Sequence, residues 1–281
     1  VETARSQGSQ VVCASHSEVV LNEAVGRDTV VAFVGKPHVV AGKQGVLRAL
    51  QDYGFENYIQ AEQTGWVLYL EGSTDLTILR AWAKLLQHPA QAALERPFVH
   101  YLNCNTPALA RKHFNAVREA HAGLVGIALF DRLEKQAQSE QDGLLEIQWS
   151  KREIENYFAT RPVLLAFARG TPKEDLLEVS EAQAREQAMT EAIAEVEQAV
   201  QVLGGDLWSD DRKASEEVLP QVLKRYVGKM QDVGIQDARI PTSKNQYHSL
   251  IDYQTAADMD GQVQAVLSQI VDVAQRAKSL G

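Results

Sequence analysis

A succession of apolar, strand-length runs alternating with helix-patterned segments is the feature that most limits what this chain can become. Val67–Leu70 comes first and is punctuated by Gly72; Pro97–Cys104, Leu124–Glu134 and Gly143–Ser150 follow. Between them, Leu76, Leu79, Trp82, Ala83 and Leu86 recur at helical spacing. Pro107–Gly123 opens on proline and closes on glycine, as helices often do. Strands that are apolar along most of their length must be covered on both faces, and the intervening helices supply the cover. The pattern therefore predicts an α/β domain over residues 61–170, a mostly parallel sheet with helices on both faces.

The texture changes after residue 170. Glu181–Gly205 is rich in Ala, Glu and Gln and reads as one long amphipathic helix stopped by Gly204 and Gly205. Arg212–Gly234 reads as one or two helices, with Pro220 as a kink or a start. Residues 171–235 are thus expected to form an α-helical subdomain. Residues 236–281 read as a return segment: "RIPTSKNQYHSLIDY" is extended or loop, and Asp260–Leu280 is a final amphipathic helix. Upstream, within residues 1–60, Val11–Cys13 reads as a short buried strand, Asp28–Val40 as a β-rich run and Lys43–Gly54 as a short helix.

Composition removes several classes of function. With 45% hydrophobic and 23% charged residues, the 281-residue chain can bury a core. No stretch approaches the roughly 20 apolar residues that span a bilayer, so no membrane span is expected. Cys13 and Cys104 cannot build a disulfide framework or a four-thiolate zinc site, which suits a reducing, cytoplasmic setting. The histidines show no HxxxH spacing. A net charge of −9 argues against binding nucleic acid through a broad basic surface. It is compatible with local DNA contact beside acids that bound metal would neutralise. The opening "VETARSQGSQ" is polar and starts on Val, so a fragment of a longer protein is expected.

The acids have a pattern of their own. In open parallel sheets, ligands bind beyond the carboxyl ends of the strands. Glu71 ends the first main run and Asp131 the third, so both belong to one edge of the sheet. Asp75 lies four residues after Glu71, near the start of the next helix. Glu153 and Glu155 follow the fourth run. Each could be a solvated cap or a helix-dipole partner. Brought together, they would repel unless a cation joined them, and hard oxygen ligands favour Mg²⁺, Mn²⁺ or Ca²⁺.

These blocks also resemble a known family. "LYLEGSTDLTILRAWAKLL" resembles the first motif of the Toprim fold, a strand ending in Glu-Gly followed by a nearby Asp, and "IALFDRLE" resembles the strand that ends in the Toprim aspartate. "WSKREIENYF" is similar to the run that follows the Toprim strands in the OLD (overcoming lysogenization defect) family of ATP-dependent DNA endonucleases. "SQVVCASHSEVVL" looks like the end of an ABC-type ATPase domain, with His16 as the switch histidine, and makes residues 1–60 a stub of that domain.

The resemblance implies a Toprim, Rossmann-like core over residues 61–170 that hydrolyses DNA phosphodiesters with two divalent ions ~4 Å apart. It makes Glu71, Asp75 and Asp131 metal ligands, with Glu153 and Glu155 as candidates for completing the second site. Lys244 in "IPTSKNQYHSL" takes the part of a catalytic lysine stabilising charge at the reacting phosphate. ATP would act only in the full-length protein, since the chain has no GxxxxGK[ST] loop. DNA, the upstream ATPase domain, a helicase and further copies of the full-length protein are the implied partners. The sequence departs from the common Asp-x-Asp ending by placing Leu133 in the second acidic place. That leaves open a non-catalytic, Toprim-like module that binds DNA or a partner, and an ATP-driven DNA-tethering protein.

Overall fold

The computed structural model describes residues 6–15, 17, 20, 23–24, 27–32, 38–39, 56–57, 59–134, 139–171 and 175–277. His16 and the helix expected over Lys43–Gly54 lie outside the described residues. Near the amino terminus, β1 (Val31–Ala32) pairs antiparallel with β2 (His38–Val39). The main sheet contains β3 (Trp66–Leu70), β4 (Val99–Tyr101), β5 (Val125–Phe130), β6 (Ser139–Gln141) and β7 (Leu144–Gln148). Its order is β4-β3-β5-β7-β6, parallel throughout except where β6 doubles back antiparallel on β7. This is the α/β sheet expected from the alternation.

Every residue of β3 is buried, and the two faces of the sheet meet different cores. Trp66, Leu68 and Leu70 join Ile127, Leu129 and Ile147 in one apolar cluster; Val67, Tyr69, Ala128 and Phe130 join the other. The period of two along a strand makes that division, and covering both faces is what demands unbroken apolar strands. Helix α1 (Ser73–Leu85) contributes Leu76, Leu79 and Trp82 to the first cluster. The short α2 (Ala90–Glu95) follows. Helix α3 (Pro107–Ala120) covers the opposite face with Ala110, Phe114 and Val117. Gly126 permits that close approach: a Cβ there would sit 3.0 Å from Leu144 Cδ1 and 3.1 Å from the Phe114 ring.

Helix α4 (Arg161–Arg169) leads into the 27-residue α5 (Leu176–Val202), whose N-cap Asp175 accepts a hydrogen bond from the Leu177 N–H. A π-turn over Ala214–Val218 precedes α6 (Leu219–Asp232), with Pro220 in the first helical turn, so that proline starts a helix rather than kinking one. Helix α7 (Gly261–Arg276) closes the fold, capped by Asp260. The first core cluster continues without a break through Ile193, Tyr226, Ile251 and Ile270. Among the described residues, no helix is long and apolar enough to cross a membrane.

Three local expectations are corrected. Residues 11–13 form no strand, and Val12 is 88% exposed, because no neighbouring strand among the described residues satisfies that backbone. The segment read as extended or loop is a 3₁₀ helix over Lys244–Tyr253, which buries Tyr247, Leu250 and Ile251. The strand β6 was not expected; its "SEQ" carries no apolar pattern, and only pairing with β7 makes it a strand.

A charge pair between a half-exposed arginine and a buried carboxylate pins α3 to the sheet. Glu146 on β7 is 3% exposed, and its two oxygens accept from Arg111 Nε and Nη2 at 2.5 and 2.6 Å. The short fork raises the Arg111 pKa through its hydrogen bond to Glu146. Removing the guanidinium strands a buried carboxylate. Arg111→Ala should therefore cost about 3 kcal/mol in urea unfolding, whereas Arg111→Ala combined with Glu146→Leu should recover most of it.

Candidate functional site

The carboxyl ends of β3, β5 and β7 open onto one place, and the acids read from the sequence are found there. Glu71 directly follows β3 and is exposed. The chain then turns through Gly72, the N-cap of α1. Asp75 faces back into that turn, its Oδ2 accepting from the Glu71 N–H at 3.1 Å and the Gly72 N–H at 3.3 Å. It is thus a helix cap in the ordinary sense. It is also out of balance: burial, followed by the charge of Glu71, lifts its pKa to about 6 despite the Gly72 hydrogen bond.

Asp131 directly follows β5 and carries the largest conflict. Burial first, then the charges of Glu71, Glu155, Glu153 and Asp75, push its pKa up to about 8. Those four groups are the other acids singled out in the sequence. Asn105, in the loop before α3, donates its amide to the Asp131 carbonyl at 3.2 Å. The same loop donates the Asn103 N–H to the Glu71 carbonyl at 3.0 Å, tying the ends of β3 and β5 to one connection.

Beyond β7 the chain forms a 3₁₀ turn over Ile154–Tyr157 with Glu153 as its N-cap, so Glu153 and Glu155 flank Ile154 and are both buried. Glu153 Oε1 accepts from the Ser215 N–H at 2.5 Å. Its Oε2 lies 3.9 Å from Lys244 Nζ. Glu155 Oε1 is buried without a hydrogen-bond partner among the described residues and stands 3.5 Å from the same ammonium. Burial and the neighbouring Glu153 raise the Glu155 pKa to about 7, and Lys244 only partly opposes them. Burial by itself would lower the Lys244 pKa, but Glu155, Glu153, Asp131 and Glu71 outweigh it and hold the amine above its ordinary value. Both shifts follow from one half-exposed lysine facing several acids without hydrogen-bonding to Glu155.

Lys244 opens the 3₁₀ helix after N-cap Ser243, and the Thr74 hydroxyl donates to the next residue's Asn245 Oδ1 at 3.5 Å. A core chain supports the opposite side. Trp82 Nε1 donates to Gln254 Oε1 at 2.9 Å, and Gln254 Nε2 donates to the Tyr157 carbonyl at 2.9 Å. The turn that carries Glu155 is thus anchored on α1 through a buried glutamine.

Glu71, Asp75, Asp131, Glu153, Glu155 and Lys244 therefore occupy one neighbourhood. The acids do not close into a finished coordination sphere: among the described residues, no three His, Cys, Asp or Glu side chains form a group that could hold a metal ion. Asp75 is turned to its own backbone, and Glu153 is engaged by Ser215 and Lys244. The donor set nevertheless suits a hard cation. It consists of carboxylate oxygens in excess of local positive charge, one of them buried and unbonded. Ser215 and Asn105 escaped the sequence reading. They lie 62 and 26 residues from Glu153 and Asp131, and nothing around either residue resembles a motif. Comparison with protein-family models gives no match, and comparison with curated proteins gives none either.

Proposed function

We propose that this chain is the C-terminal catalytic region of an OLD-family, divalent-metal-dependent DNA endonuclease, with a Toprim-type core over residues 61–170. The observation that carries the reading is the meeting of Glu71, Asp75, Asp131, Glu153 and Glu155 with the cation Lys244 at the carboxyl edge of the sheet. Such crowding is costly without counter-charge, and Mg²⁺ or Mn²⁺ would supply it. Glu71, Asp131, Glu153 and Glu155 would hold the ions, with Asp75 joining if it leaves its cap. When bound, divalent ions stabilise the charge that builds on a phosphodiester under attack. Lys244 stands where its ammonium can draw a phosphate oxygen towards the acids and stabilise the same charge. The upstream ATPase domain, ATP binding and a helicase partner belong to this reading of the longer protein.

Nicking of supercoiled plasmid by the chain in Mg²⁺ or Mn²⁺ tests the proposal. Glu71→Ala should reduce the rate more than ~100-fold, and Lys244→Met should do so while leaving Mn²⁺ binding in place. Undiminished cutting by Glu71→Ala would remove this site from the reaction. A second reading, a non-catalytic Toprim-like module that binds DNA or a partner, is favoured by the lack of a closed set of three acids among the described residues. DNA binding without cutting in every divalent ion tried would select it.

A further inference from the structure

The cations around the carboxylate pocket are almost all spoken for. Arg132 pairs with Asp211, Lys151 with Asp210 and Asp260, Arg212 with Glu217, and Lys213 with Glu216. Lys244 serves Glu153 and Glu155. Arg152 is the exception: it is exposed, and among the described residues no carboxylate stands within ion-pair distance of it.

Its backbone, by contrast, is held from both sides. The Arg152 N–H donates to the Asp210 carbonyl at 2.8 Å, and its own carbonyl accepts from the Arg132 N–H at 3.3 Å. Arg132 follows Asp131, and Arg152 precedes Glu153, so the clamped backbone lies one residue from two of the site's acids. Asp210, whose carbonyl takes the Arg152 N–H, gives its side chain to Lys151. A fixed root next to Glu153, carrying a guanidinium that makes no ion pair among the described residues, is suited to an anion brought from outside. In a chain of net charge −9, the approach of a polyanion depends on such local features.

We propose that Arg152 is a phosphate clamp. Its planar fork grips a phosphate of the DNA strand next to the one presented to the carboxylates, bidentately, as arginine does and lysine does not. This rests on the endonuclease reading and adds to it a substrate-positioning residue outside the group of acids and Lys244.

The test measures binding of a short fluorescent DNA duplex to the chain in Ca²⁺ across a series of salt concentrations, with Mn²⁺ affinity measured separately by calorimetry. Arg152→Ala should weaken DNA binding by ~10-fold at low salt and flatten the plot of log affinity against log salt by about one unit. Arg152→Lys should recover the salt slope but only part of the affinity. Lys151→Ala, whose ammonium is already paired, should bind DNA within about twofold of wild type. Mn²⁺ affinity and melting temperature should be unchanged by Arg152→Ala. Wild-type affinity and slope in Arg152→Ala would overturn the clamp, as would an equal loss in Lys151→Ala. A wild-type chain that binds Mn²⁺ but no DNA would also sink the clamp while sparing the metal site. A chain that binds no Mn²⁺ would overturn the reading beneath it.

Discussion

At about pH 8 in EDTA, Asp131→Asn should melt at a higher temperature than wild type, although it should have lost more than ~100-fold of any metal-dependent cleavage. The wild-type carboxyl has its pKa raised to about 8 by burial and by the charges of Glu71, Glu155, Glu153 and Asp75. An unfolded aspartate releases its proton near 3.8. Between those values the native chain holds a proton that the unfolded chain has given up, so stability falls as pH rises through that window and levels above it. The ceiling on the slope is about 1.4 kcal/mol per pH unit for each such group. Glu155 and Asp75 add to the fall up to about pH 7 and about pH 6 respectively. An amide of the same shape removes the largest contribution. A gain of about 2 kcal/mol, or roughly 4–8 °C, is expected for a domain of this size. Adding Mn²⁺ should reverse the order, raising the melting temperature of wild type far more than that of Asp131→Asn. A melting temperature independent of pH between about 5 and 8 in EDTA would show that the acids are not in conflict.

The largest loss of stability is expected from Trp82→Ala, about 3–5 kcal/mol in urea unfolding. Trp82 is completely buried, sets its ring edge-on to Trp149, Tyr157 and Phe158, and holds Gln254 through its indole N–H. Gln254 in turn holds the Tyr157 carbonyl, so the damage should reach the turn that carries Glu155. Trp82→Phe keeps most of the apolar area but drops the hydrogen bond, leaving the Gln254 oxygen buried and unpaired, and should cost about 1–3 kcal/mol. Comparing Mn²⁺ affinity in the two variants separates support of the site from support of the core. Trp82→Phe should weaken Mn²⁺ binding, and unchanged affinity would mean that the Gln254 bridge does not position Glu155.

Both effects arise because the core and the acidic edge share the same elements. Glu71 and Asp131 directly follow β3 and β5, and Asp131 inherits both a poorly hydrated setting and the charge of the neighbouring acids. The ordinary remedy, a salt bridge for each acid, is not found among the described residues, where the half-exposed Lys244 pairs with Glu153 and Glu155. Arg132 and Lys151 are close by, yet they pair with Asp211, Asp210 and Asp260, and among the described residues Arg152 pairs with no acid. A stability-optimised fold would not keep this arrangement, which is why the site is read as functional.

Much of this was legible along the chain because it depends on neighbours in sequence. The apolar run Val67–Leu70 reads as a strand covered on both sides, and a parallel sheet puts the residue after each such strand at one edge; Glu71 and Asp131 follow from that rule. Asp75 was legible both as a cap and as a site acid; the structure shows it accepting from the Glu71 and Gly72 N–H groups, as a cap does. The tertiary structure alone decided that Lys244 belongs to a 3₁₀ helix delivered beside Glu155, that Ser215 secures Glu153, and that among the described residues Arg152 forms no ion pair while Lys151 and Arg132 do. Hydrophobic period and turn chemistry act over a few residues and can be read locally. Burial, charge pairing and hydrogen bonding act through space, between segments whose meeting no local pattern records.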